Sequence, residues 1–298
     1  MPPLRPLIRL LPALLALGFG VPQTPAAADP ISVFVSIPPQ QYIVQQIGAE
    51  LVHVQTLVPP GADAHTYEPK PGQMAQLAGA RLYFSIGISF EKAWLPKIIA
   101  ANPQLKVVAS DQGLAKLPMG HHHRETAQGH EPDSEESALD PHVWLSPPLV
   151  ITMGETIQAA LAKADPVHAP RFEENFRKFA RQMDDLNAQI RTLLADKGGA
   201  RFISLHPSWG YFADTYGLVQ IPVELEGKEP KAAQLRDLIR QARQMKITVV
   251  FTQPQFSPRS AQLIAAEIGG QVIPADPLAA DLPATLLHMA RALRSAAR

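Results

Sequence analysis

The sequence predicts an α/β protein of two lobes, each built on a mostly parallel sheet flanked by helices, with one long helix between them. Three observations predict it. Short β-rich runs alternate with helix-period segments, the alternation occurs twice, and a single amphipathic stretch separates the two halves. The 298 residues suit one large or two medium domains, and at 46% hydrophobic and 18% charged the chain can bury a large core. Collagen-like, coiled-coil and disordered classes do not fit that composition.

Taken in order, residues 1–28 read as a secretory signal peptide. Arg5 and Arg9 precede an apolar run from Leu10 to Val21, and the segment ends on the small residues Ala26-Ala27-Ala28. The apolar run falls short of the roughly 20 residues that span a bilayer, so cleavage after Ala28 and a home in the periplasm are expected rather than a membrane anchor. The first lobe is expected over residues 29–145. Its β-rich runs are Ile31–Ser36, Leu51–Val58, Arg81–Gly87 and Leu105–Val108, with helix-period segments at Gln40–Glu50, Gly72–Ala80 and Glu91–Ala101. Within it, Met119–Ala138 holds His121, His122, His123 and His130 among five acids and almost no apolar residue. Such a stretch cannot repay the entropy of ordering, so a mobile surface loop is expected there, either without a role or as a weak accessory metal collector.

A connecting helical segment follows over residues 146–198. Between Val167 and Lys197 the apolar residues Phe172, Phe176, Phe179, Met183, Leu186, Ile190, Leu193 and Leu194 step by three and four, with no proline after Pro170. That is one helix about 40 Å long at 1.5 Å per residue, long enough to span both lobes. The second lobe, residues 199–298, repeats the alternation with β-rich runs at Arg201–Leu205, Val219–Glu224, Ile247–Thr252 and Gln271–Pro274, and helix-period segments at Ala232–Met245 and Pro258–Gly269. Pro207 is positioned to begin a helix directly after the first of these runs.

The formal charge is zero, with 27 Lys+Arg against 27 Asp+Glu, and the mean hydropathy is −0.03. Nucleic acid and anionic membrane surfaces select clustered cationic excess, so neither partner is expected. Cleavage after Ala28 removes two cations, Arg5 and Arg9, and no acid, leaving 25 against 27 and a mild bias toward cations. The absence of cysteine excludes disulfides, thiolate ligands, thiol nucleophiles and a lipid-bearing cysteine. A metal site here must use histidine and carboxylate.

Four residues fall at or beyond the carboxyl ends of their β-runs, the edge where open α/β sheets bind ligands. His65 lies in GADAHTYEPKPGQM, His142 in LDPHVWLSP, His206 in RFISLHPSWGYFADTYGL and Asp276 in GGQVIPADPLA. Two come from each half, so a site made of them lies in the cleft between lobes. Three imidazoles and one carboxylate suit tetrahedral zinc, and four protein donors leave no position for a reactive water. Asp140, Glu68 and Ser208 stand close in sequence as candidates to orient an imidazole. His53, His168 and His288 fall in a strand pattern, at the start of the long helix and in the last helix, and Glu229 at a helix start; none is assigned to metal.

At VPPGADAHTYEPKPGQM, DPHVWLSP, ISLHPSWGYFADTYGL and FTQPQFSPRSAQLIAAEIGGQVIPADPLA the chain resembles the solute-binding proteins of bacterial ABC importers for zinc and manganese, along essentially the whole mature length. The resemblance implies two α/β lobes joined by one long rigid helix, a single metal between them, and ligands at His65, His142, His206 and Asp276. It also implies capture of Zn²⁺ in the periplasm by a monomer and delivery to a membrane permease with its ATPase. Glu68 or a water stands as the alternative fourth ligand. Histidine rather than carboxylate at position 206 favours zinc over manganese or iron. A secreted zinc hydrolase is the rival from another class, but H-E-x-x-H is absent and the three histidines are about 60–80 residues apart.

Overall fold

The computed structural model describes residues 29–119, 139–224 and 230–296. The signal segment, the four loop histidines His121, His122, His123 and His130, and Glu229 lie outside the described residues.

The first sheet contains β1 (Ile31–Val35), β2 (Val52–Thr56), β3 (Leu82–Ser85) and β4 (Lys106–Ala109) in the order β2-β1-β3-β4. The second contains β5 (Arg201–Ser204), β6 (Val219–Pro222), β7 (Val249–Thr252) and β8 (Gln271–Pro274) in the order β6-β5-β7-β8. Every strand pair is parallel. The two halves therefore share one topology, and in each the strand order reverses beside the first strand, between β1 and β3 or between β5 and β7. That reversal opens a crevice at the carboxyl ends of the strands. The inner strands β3 (LYFS) and β7 (VVFT) are buried at every position, as expected of parallel strands covered on both faces.

Helices α1 (Pro38–Gly48), α2 (Pro71–Leu77) and α3 (Ser89–Ala101) belong to the first half; α6 (Gly210–Tyr216), α7 (Ala232–Gln244), α8 (Arg259–Ile268) and α9 (Leu282–Ala296) belong to the second. Between them, α4 (Pro147–Ala164) and α5 (Ala169–Leu193) form an antiparallel pair. The three-and-four spacing predicts one helix over Val167–Lys197, whereas α5 covers Ala169–Leu193. In the structure Asp165 caps a single tight turn at Pro166–His168, its carboxylate accepting from the His168 main-chain N–H at 3.3 Å and standing 2.6 Å from Nδ1 of that ring. Pro207 does not begin a helix. The Ser208 N–H bonds back to the His206 carbonyl at 2.8 Å and Trp209 donates its N–H to Gln220 Oε1 at 2.6 Å, so a turn intervenes and α6 begins only at Gly210.

Along α5, Phe172, Phe179, Met183, Leu186 and Ile190 face inward as the three-and-four spacing predicts. Asn175 interrupts that apolar face; its Nδ2 donates 3.0 Å to the Ile47 carbonyl at the end of α1 and fixes the helix to the first lobe. At its other end α5 packs on α9. The largest core accordingly runs without a break from the first sheet through α4 and α5 to α9 and to Phe202, Val249 and Phe251 on one face of the second sheet. The opposite face of that sheet, with Ile203 and Val250, has its own smaller core under α7 and α8.

Candidate metal centre

His65 lies on the segment between β2 and α2. Asp63 builds the local turn: its carboxylate accepts from the His65 main-chain N–H at 2.8 Å and from the Thr66 hydroxyl at 3.0 Å, the short-range bonding that makes Asp a turn former. The imidazole Nδ1 lies 2.8 Å from Ser89 Oγ, at the first position of α3. Crowding by the surrounding protein, with the adjacent His206 ring adding to it, lowers the His65 pKa below the usual histidine value.

His142 is buried, in a bend immediately before a single 3-10 turn at Val143–Leu145. Asp140 binds it twice through one oxygen, at 2.9 Å from the main-chain N–H and 2.6 Å from Nδ1. Asp140 is held in turn by Tyr211, whose hydroxyl donates to the Asp140 carbonyl at 2.9 Å; burial, with the Asp140 charge contributing, pushes that phenol up to about 12. Gly210 leaves the room this needs, because a Cβ there would come within 2.8 Å of the Asp140 carboxylate.

His206 stands two residues beyond the end of β5. Its Nδ1 is 2.7 Å from Glu224 Oε2, and Phe256 stacks on the ring at 5.8 Å between centroids. Its Nε2 is buried and has no hydrogen-bond partner among the described residues. Buried polar atoms are ordinarily satisfied, so an unpartnered one inside a cavity lining is unusual. The His206 ring centroid lies 5.0 Å from that of His65 and 5.3 Å from that of His142. Two imidazoles on one tetrahedral zinc, with Zn–N near 2.0–2.1 Å, have centroids about 5.2 Å apart. Each pair thus has the spacing one ion requires. Among the described residues no three His, Asp or Glu side chains already converge on a common point, so closing all three rings on one ion takes side-chain adjustment.

The rings line a cavity of about 30 Å³ together with Ile88, Trp144, Gln253 and Phe256. That is space on the scale of a single small ion, not of a chelate. Asp276 is not among the lining residues but is bonded to two of them. Its Oδ1 accepts from Gln255 Nε2 at 3.0 Å and from the Leu278 N–H at 2.9 Å, and both of those residues do line the cavity.

Sequence proximity found Asp140 correctly but not the other two imidazole partners. Glu68 lies exposed beyond His65, and Ser208 accepts from Gln253 Nε2 at 2.6 Å instead of touching a ring. Glu224 and Ser89 do those jobs. The signal for Glu224 is register: Ser204 pairs with Pro222, so two residues further along each strand His206 and Glu224 come side by side. His53 on β2 and His288 on α9 are not among the cavity-lining residues, and His168 pairs with Asp165.

Fold and site together define a class: a two-lobed α/β solute-binding protein with three histidine rings lining one small cavity. The chain belongs to the ZnuA family, zinc-uptake complex component A, periplasmic, whose model matches residues 33–296. It is thereby a zinc-binding solute-binding component of a zinc ABC transporter. A putative metal-binding protein of Treponema pallidum is 30% identical over 86% of this chain and 82% of its own length. The high-affinity zinc uptake system protein ZnuA of Bacillus subtilis is 28% identical over 82% of this chain and 77% of its own. A crystal structure of ZnuA superposes with a TM-score of 0.82 at 43% identity, covering 90% of this chain and 99% of that one. Proteins of the family work with an ABC permease and ATPase. Among the described residues no helix is long and apolar enough to cross a membrane.

Proposed function

We propose that this chain takes up one Zn²⁺ in the periplasm through Nε2 of His65, His142 and His206, with Asp276 as fourth donor, and surrenders it to the permease. The observation that carries the reading is the buried, unpartnered Nε2 of His206, set between two imidazoles at the spacing of a shared tetrahedral ion. Each ring is tied at Nδ1 to Ser89, Asp140 or Glu224, which leaves Nε2 as the metal-facing nitrogen. For Asp276, Oδ1 is held by protein donors and Oδ2 is the proposed ligand atom. Three imidazoles favour zinc over the harder manganese ion. With four protein donors the site binds rather than hydrolyses.

The test is elemental analysis of protein purified without added metal, followed by competition between Zn²⁺ and Mn²⁺. One zinc per chain with a large preference is expected, falling away below about pH 6 as the imidazoles protonate. Undiminished affinity in a His65→Ala/His206→Ala double variant overturns the assignment.

A further inference from the structure

The three imidazoles are held by partners of different chemistry. His142 and His206, at 5% and 7% exposure, each face a carboxylate, from Asp140 and Glu224. His65 is exposed, sits on the long connection between β2 and α2, and faces only the neutral hydroxyl of Ser89. The nearby Asp63 carboxylate is committed to the His65 main-chain N–H and the Thr66 hydroxyl, not to the ring. A charged acceptor on Nδ1–H makes a shorter, stronger hydrogen bond and raises the donor power of Nε2 more than a hydroxyl does. His65 is thus both the outermost arm and the weakest donor.

Ser89 itself is fixed in place. The Glu91 carboxylate, buried two residues further along α3, accepts from the Ile86 N–H at 2.9 Å and the Gly87 N–H at 2.7 Å, and so anchors the loop that leads into Ser89. We propose that Ser89 makes His65 the releasing arm of the site: the ion enters and leaves on the His65 side, His142 and His206 hold it until last, and residue 89 sets its residence time. This rests on the zinc-capture reading above, with Ser89 as a positioning residue that acts through His65.

The experiment loads the full mature chain with one Zn²⁺ and follows release into excess chelator by stopped flow, for the parent, Ser89→Asp, Ser89→Ala and Ser89→Thr. Position 89 is exposed and opens a helix, where an aspartate is well tolerated, so these variants are expected to fold. Ser89→Asp is expected to slow release about 10–100-fold, Ser89→Ala to speed it about 10-fold, and Ser89→Thr to restore the parent rate. In ¹⁵N spectra of the imidazoles, Ser89→Ala should move the His65 Nδ1 resonance and leave those of His142 and His206. Equal rates across the series, or faster release in both the Asp and Ala variants, overturn the inference while zinc capture stands. A parent chain that holds no zinc overturns both.

Discussion

At the scale of single residues, each of the three histidines lining the candidate site has its Nδ1 beside a protein oxygen. Asp140 lies two positions from His142, and a carboxylate that close reaches back to both the main-chain N–H and the ring. That contact is legible in the sequence because it is local. Glu224 is 18 residues from His206 and becomes its partner only because β5 and β6 pair side by side. Replacing Glu224 with Gln keeps an acceptor for Nδ1 and removes the charge; zinc affinity is expected to fall about 10–100-fold in competition titrations, with the apo-protein melting temperature little changed. Asp140→Asn should cost a similar factor in affinity. It should also lower the melting temperature, because Asp140 is only 3% exposed and an amide there brings donors into a space arranged for an acceptor. Equal zinc affinity in parent and Glu224→Gln would show that the Glu224 charge does nothing for the ion.

At the scale of elements, the carboxyl edge of the first sheet is a buried polar network. Gln40 accepts from the Ser36 N–H at 3.0 Å and donates to the Phe84 carbonyl and Ser110 Oγ, each at 3.0 Å. The Ser36 hydroxyl contacts both Tyr83 and Glu91. These groups tie the ends of β1, β3 and β4 together beneath the loop that presents Ser89. Burial holds the Glu91 carboxyl above the usual glutamate range, against the opposing pull of its Ser36 and backbone donors. The sign follows from linkage: the folded state keeps this proton to higher pH than the unfolded chain. Its contribution to stability is therefore full below about pH 4.5 and is lost as pH rises through the elevated folded value. Thermal melts of apo protein from pH 4.5 upward should show this component in the parent and not in Glu91→Gln; identical slopes would exclude a titrating Glu91.

At the scale of the whole molecule, the two sheets are not two independent cores. Phe172 through Ile190 on α5, Ile157 and Leu161 on α4, and Leu286, Met289 and Leu293 on α9 belong to one cluster with the first sheet and with Phe202 and Phe251 of the second. Lobes that share so much apolar surface resist hinge opening, because separating them would expose a core rather than a polar interface. Calorimetry of the apo chain is expected to show one cooperative transition, and small-angle scattering to show little change in radius of gyration on zinc addition. Two resolved transitions, or a contraction of several ångströms, would contradict a shared core.

Periodicity and local chemistry by themselves determined the eight strands of the described residues, the inward face of α5 and the placing of His65, His206 and Asp276 on segments that leave strands, since each depends on neighbours within a few residues; His142, expected at a strand end as well, instead stands before a 3-10 turn. Strand ends still shifted by a residue or two where main-chain bonding stops, and Pro207 did not start a helix because Gln220, on another strand, takes the Trp209 N–H. Only the tertiary structure decided which groups hold the rings, that Asp276 is bonded to Gln255 and Leu278 of the cavity lining, and that one core serves both lobes. Those outcomes depend on strand register and on packing between segments more than a hundred residues apart, and no local pattern encodes either.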